Sequence, residues 1–160
     1  MSAVLRPRRA VETVTRLKRR GRVVVFTNGC FDLLHVGHLV LLETARSLGD
    51  VLVVGVNTDR SVRRIKGPGR PIVPLAERME MLAALRAVDY VVPFDAPTPA
   101  RLIQALRPDV LVKGGDYRPA QIVGRDTVEA GGGRVVVVPL RRGHSTSGLI
   151  HRALRRGAAH

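Results

Sequence analysis

In the stretch "TNGCFDLLHVGH", residues 27–38, two histidines stand three apart just after the apolar run "RVVVFT" and a glycine-containing turn, with the chain's one cysteine, Cys30, close upstream. Imidazoles so placed can ligate a metal, handle phosphate, or pack. A metal site needs a third and usually a fourth ligand. Cys30, Asp32 and Asp116 are available, but no recognised ligand spacing joins them, so no bound metal is expected. A helix starting near Val36 puts His35 at its start and His38 one turn in. Both rings then reach one pocket beside free N–H groups and the positive end of the helix dipole. Such a helix start favours bound phosphate, and Gly37 clears room for it to approach. Packing of satisfied histidines is the competing reading, and Cys30 is expected to pack as a small apolar residue.

Lysine usage points to the same kind of ligand. The chain has 24 Arg and three Lys, so Arg is the default cation. Yet Lys66 in "RIKGPGR" and Lys113 in "LVKGGDY" both precede glycine in predicted loops, and an ammonium is a compact charge that can follow a phosphate as it moves. "GHSTSGLI", residues 143–150, reads as a helix start with Ser145 or Thr146 as N-cap, offering hydroxyls and free N–H groups to a second phosphate. "GGD" at 114–116 lets a base or ribose lie against bare backbone, with Asp116 accepting from a hydroxyl.

These residues need a scaffold that gathers them. Apolar, β-rich runs at 23–27, 51–56, 90–94, 110–113 and 135–140 alternate with helical patterns at about 36–48, 75–87, 98–106 and 120–130. Basic helices are expected at about 8–20 and 145–156. Strands apolar on both faces and separated by helices predict an α/β fold: a Rossmann-like, doubly wound, five-stranded parallel sheet with helices on both faces, in a single domain. "TNGCFDLLHVGH", "VNTDRSVRRIKG", "VKGGDY" and "RRGHSTS" then all fall at the carboxyl ends of strands, where such sheets bind ligands.

No run of 18 apolar residues and no secretory signal pattern occur, so a soluble, cytoplasmic protein with no membrane partner is expected. The net charge of +14 divides unevenly: residues 1–22 carry +7, residues 134–160 carry +6, and residues 23–133 only +1. With five aromatic residues there is little to stack on exposed bases, and nucleic acid is not the expected main partner. A nucleic-acid-binding module using the basic ends is the reading from another class.

"NGCFDLLHVGH" resembles the GxFDxxHxGH signature of the cytidylyltransferase-like nucleotidyltransferases, and "STS" resembles their second signature. "LGDVLVVGVNTDRSVRRIKGPGRPIVPLAERMEMLAAL", "VDYVVPF", "TPARLIQALRPDVLVKGGDY" and "GHSTSGLI" narrow the likeness to the D-glycero-β-D-manno-heptose 1-phosphate adenylyltransferases, over about residues 20–155. The chain is then expected to divide into a basic N-terminal helix or arm at 1–21, a nucleotidyltransferase domain at 22–156 and a tail at 157–160. It implies transfer of AMP from ATP to a heptose 1-phosphate, giving ADP-heptose and pyrophosphate, with Mg²⁺ assisting and a homodimer as the assembly. Carried across by position, His35 and His38 contact the triphosphate and stabilise charge at the α-phosphorus, and Lys66 closes over the phosphates. Thr27, Asn28 and Phe31 line the nucleotide site; Lys113, Gly114 and Asp116 hold the other side of nucleotide or acceptor; Ser145, Thr146 and Ser147 bind phosphate oxygens. Arg70 and Arg78 bind the acceptor's phosphate or order their loop. Leu140 stands where related cytidylyltransferases place an arginine, with Arg141 and Arg142 following, which favours the sugar-nucleotide branch over one joining glycerol 3-phosphate to CTP. The kinase domain often fused to such enzymes has no counterpart here, so a separate sugar kinase is expected.

Overall fold

Strands that are apolar on both faces need cover on both sides, and they obtain it. The computed structural model describes residues 3–115, 117–139 and 146–157. In chain order these form β1 (Ala3–Val4), α1 (Pro7–Arg19), β2 (Val24–Gly29), α2 (Val36–Ser47), β3 (Val51–Asn57), α3 (Asp59–Lys66), α4 (Leu75–Ala83) and β4 (Tyr90–Phe94). There follow α5 (Ala100–Leu106), β5 (Val110–Gly114), a 3-10 turn (Pro119–Gln121), α6 (Arg125–Ala130), β6 (Arg134–Val138) and α7 (Thr146–Gly157). The six strands make one sheet, ordered β1-β4-β3-β2-β5-β6, with every pairing parallel.

Side-chain alternation along the strands divides the core in two. Phe26, Val53 and Leu111 face α1, α5 and α6, packing with Ala10, Val14, Leu102, Ile103 and Val128. Val25, Leu52, Val54, Val91 and Val112 face α2 and α4, packing with Leu41, Leu42, Ala45 and Leu82. Two elements differ from the sequence expectation. The sheet has six strands rather than five, because Ala3 and Val4 pair with Tyr90 and Val91, and a two-residue strand leaves no periodic pattern to read. "TDRSVRRIK", expected as loop, is helix α3. Its polarity hides it, because Val62 is its one buried large apolar side chain. Local chemistry holds it: the Thr58 hydroxyl accepts from the Ser61 N–H at 3.2 Å, Asp59 sits in the first turn, and Arg63, Arg64 and Lys66 occupy the last. Asp95, after β4, then ties α3 down, accepting from the Thr58 hydroxyl at 2.7 Å and pairing with Arg60 and Arg64.

The two ends of the sheet differ in charge. At the amino end three aspartates repeat one device: Asp50, Asp89 and Asp109 each precede a strand and accept an N–H at or just before the start of the neighbouring one, from Val23, Leu52 and Val24 respectively, each at 2.8 Å. At the carboxyl end stand the histidines, Lys66 and Lys113. From β2 the chain winds outward through β3 and β4, and then crosses to β5 on the other side, so the β2–β5 junction is the switch point where ligands of doubly wound sheets bind.

Candidate active site at the carboxyl edge

The histidine loop leaves β2 through a strained residue. Phe31 has φ +47°, a left-handed conformation that costs an L-residue roughly 1–2 kcal/mol, and its buried ring packs tilted against His38 with centroids 5.2 Å apart. His35 is the N-cap of α2 in extended conformation, but its side chain does not cap the helix, and the first turn holds no acid. Its ring instead stacks on His38, centroids 3.8 Å apart and planes 25° off parallel. Burial, and then the neighbouring His35, push the His38 pKa down to about 4, so His38 is neutral at pH 7. Two buried polar atoms on this side of β2, Nδ1 of His38 and Oγ1 of Thr27, have no hydrogen-bond partner among the described residues. Leaving each unmade costs about 1–3 kcal/mol, a cost that a purely packing role would not incur. The open amino end of α2, the stacked imidazoles and these two atoms together make a place for an anion.

Two buried charges fasten a second loop, residues 67–74, to this one. Asp32, 1% exposed, accepts from the N–H groups of Ile72 and Val73 at 2.8 and 2.9 Å and from Nε of Arg70. Burial works against its ionisation, but the Val73 N–H, the Arg70 guanidinium and the Ile72 N–H outweigh it and hold the carboxyl below the usual range. Arg78 is wholly buried on α4. It donates to the Val73 carbonyl at 2.9 Å, to the Cys30 carbonyl, and to Asp59 at 2.7 Å, and so joins the loop, the histidine segment and α3. The expectation that Arg78 binds the acceptor's phosphate is therefore corrected: a guanidinium enclosed by three protein acceptors has no surface to offer, and of its two suggested roles loop ordering fits. Arg70, its side chain 18% exposed and engaged by Asp32, keeps an outward edge. Sequence reading considered Asp32 as a metal ligand alone. Its loop contacts lie 38 to 41 residues away, beyond any local pattern.

Lys66 ends α3 rather than lying in a loop, is exposed, and is close enough to Cys30 to lower its pKa. Burial nevertheless dominates at Cys30 and, over the pull of Lys66, Arg78 and Arg70, raises the thiol's pKa. The thiol contacts Oδ1 of Asn57 at 3.9 Å, and Nδ2 of Asn57 donates to Ser61 and to the Ala96 carbonyl, so this group packs rather than reacts. Lys113 and Gly114 end β5, and burial lowers the Lys113 pKa. Asn28 and Lys113 share a cleft of about 200 Å³. Both have the strand parity of Phe26 and Leu111, so they project toward the α5 side, away from α2. Thr146 opens α7 and donates its hydroxyl to the Leu33 carbonyl at 3.2 Å, which brings the second signature beside the histidine loop; Ser147 is exposed. Ser145 and Asp116 lie outside the described residues. Among the described residues no three His, Cys, Asp or Glu side chains gather as a metal cage, and no helix is long and apolar enough to cross a membrane.

The "Cytidylyltransferase-like" family model matches residues 26–150. The chain is 59% identical over 139 residues to the "Bifunctional protein HldE" of Syntrophotalea carbinolica, covering 87% of this chain and 28% of that protein. It is 58% identical over 144 residues to the protein of that name from Halorhodospira halophila, covering 90% and 30%. This chain thus spans under a third of the length of these curated relatives. Among solved structures, a lipopolysaccharide core biosynthesis protein from Thermoplasma volcanium matches with TM-score 0.63 and 27% identity, over 78% of this chain and all of that one. A pantoate-beta-alanine ligase from Francisella tularensis shares the fold alone, with TM-score 0.66 and 15% identity over 97% of this chain and 80% of its own. With the family model matching well over half its length, and with the histidine pair, the open amino end of α2 and the start of α7 at Thr146 gathered at one sheet edge, the chain belongs to the cytidylyltransferase-like family of nucleotidyltransferases.

Proposed function

We propose that the chain is a heptose 1-phosphate adenylyltransferase, which moves the AMP group of ATP onto the acceptor's phosphate and releases pyrophosphate. The observation that carries this reading is the uncapped amino end of α2 with its stacked histidines beside the switch point of the sheet. The β- and γ-phosphates lie over the first turn of α2, where free N–H groups and imidazole donors take up the charge that develops as pyrophosphate leaves. His38, neutral at pH 7, acts as a hydrogen-bond donor rather than as an acid. Lys66 reaches over the phosphates from the end of α3, and the Asp32 and Arg78 contacts hold α3 and the loop that follows it in register with the histidines. The acceptor's phosphate, with a second pKa near ~6, is already mostly a dianion, so its oxygen attacks the α-phosphorus without a strong general base. Catalysis is then positioning and charge stabilisation along an in-line path.

Nucleotidyltransferases that use ATP generally need a divalent metal. Mg²⁺ keeps several waters and is held largely by substrate phosphates, so here it would enter with ATP and neutralise phosphate charge, with few protein ligands required. A cytoplasmic site, an upstream sugar kinase and a homodimer complete the proposal.

Pyrophosphate release measured across a matrix of nucleotides and phosphorylated acceptors tests it. ATP with heptose 1-phosphate should give the highest kcat/KM. Activity confined to CTP with glycerol 3-phosphate would overturn the assignment.

A further inference from the structure

We propose that the outward face of α1 is a docking surface for an acidic, amphipathic helical segment of another protein: its carboxylates pair with Arg16, Arg19 and Arg20, and an apolar side chain between them fills the groove that these arginines border.

The charge of α1 is divided along its length. In the first turns Arg8 and Arg9 both pair with Glu12, at 3.6 and 3.2 Å, so that end is partly neutralised within the helix. Arg16, Arg19 and Arg20 are exposed, and their side chains form no ion pair or hydrogen bond among the described residues. Packing does not account for them, because Ala10, Val11, Val14 and Leu17 supply the contact with the core. The helix dipole accounts for one at most. Its C-terminal end amounts to about half a charge, and Lys18 already stands there, 3.0 Å from Asp109 and donating to the Arg107 carbonyl at 2.5 Å. Arg19 and Arg20 follow Arg16 by three and four residues, so the three guanidiniums share one face, with about 5–6 Å between neighbouring Cβ atoms. Beside them runs an open groove of about 590 Å³, lined also by Val11, Glu12 and Thr15. Val11 and the aliphatic stems of the arginines give this groove an apolar floor under a charged rim.

Charge and shape select the occupant. A second copy would set the same arginines against themselves across a two-fold axis, so like charges oppose self-association here. A bilayer would gain electrostatic attraction alone, because the large apolar side chains of α1 face the core and none is free to enter the acyl region. Nucleic acid would meet the arginines but leave the groove empty, and the groove has no aromatic ring to stack a base. An acidic helix uses both features. Carboxylates three and four residues apart repeat the spacing of the arginines, each guanidinium can hold one through two N–H groups, and a leucine-sized side chain between them enters the groove as ridges pack between helices.

Fluorescence anisotropy tests this on the full chain, with an Ala-rich helical peptide of about 20 residues bearing three glutamates and one leucine on one face. Wild type should bind it, less tightly as salt rises, since exposed pairs are screened. Charge reversal in Arg16→Glu/Arg19→Glu/Arg20→Glu should lower the affinity at least ~tenfold, and Arg16→Gln/Arg19→Gln/Arg20→Gln should lower it by a smaller factor. Both should keep a Tm close to wild type, because these side chains support no internal contact. Thr15→Tyr fills the groove without altering charge and should weaken the leucine peptide more than one with alanine in its place. Duplex DNA of about two helical turns and vesicles of phosphatidylglycerol with phosphatidylcholine, at the same salt, are the competing ligands. Tighter binding of either, lost on charge reversal, would overturn the proposal. Undetectable peptide binding, equal affinity in wild type and both arginine variants, or unchanged leucine-peptide affinity in Thr15→Tyr would also overturn it.

Discussion

Replacing Asp32 by Asn keeps the shape of the side chain and removes its charge, which isolates what this carboxylate does. One oxygen accepts the Ile72 and Val73 N–H groups at 2.8 and 2.9 Å, and the other accepts from Arg70. An amide has a single acceptor oxygen. Whichever way it turns, its NH₂ group points either at two N–H donors or at a guanidinium. At least one charge-assisted bond is lost, about 1.5–3 kcal/mol, and Arg70 loses its counter-charge in a partly buried site. Together these predict a loss of about 3 kcal/mol, at the lower end of the ~3–5 kcal/mol seen when a buried pair is broken. Urea unfolding at pH 7 should show it. Hydrogen exchange at the Ile72 and Val73 amides should speed up by about a hundredfold, the factor that ~3 kcal/mol represents. The sign of the pH dependence follows from the depressed carboxyl pKa, which comes from three hydrogen-bond donors overcoming burial. Stability contributed by Asp32 is fully present above the unfolded value of about 3.9 and is lost as pH falls through the lower folded value. The gap between wild type and variant should therefore close in acid. A difference below ~1 kcal/mol at pH 7, with exchange unchanged at both amides, would show that other contacts hold the loop and would refute the reasoning.

The depressed pKa of His38 makes a second prediction, of the same sign but in a higher pH window. The folded protein resists protonation down to about 4 whereas the unfolded chain takes up its proton near 6.5, so stability should fall as pH drops through that window and fall less in His38→Gln. Bound triphosphate should raise this pKa in an NMR titration, and no movement at saturating ATP would remove the phosphates from His38. Cys30 should prove dispensable: burial holds its thiol protonated, so Cys30→Ser should turn over close to wild type and alkylation at pH 7 should be slow. Rapid alkylation that abolishes activity would contradict that.

How much of this was legible in the chain depends on the range of the interaction. Periodicity and apolar runs are local signals, and they marked five of the six strands and the helices that cover them. The helix start that carries the two histidines was legible as well, because His35, Gly37 and His38 lie within one turn of helix and their relation needs no tertiary contact. α3 escaped because its stability comes from a cap and charges rather than an apolar stripe, and β1 because two residues carry no period.

Tertiary structure alone decided the rest. Arg78 looks in sequence like any other arginine of a cation-rich chain; enclosure by Val73, Cys30 and Asp59 turns it from a candidate substrate ligand into a structural tie. Lys113 and Asn28 share a face because β2 and β5 pair in parallel between residues 85 apart in the chain, and that pairing sets them on the opposite side of β2 from the histidines. Residue types and local spacing thus determine which chemistry this chain can perform. Which groups meet, which are buried, and which share a face depend on strand order and burial, which are properties of the whole sheet.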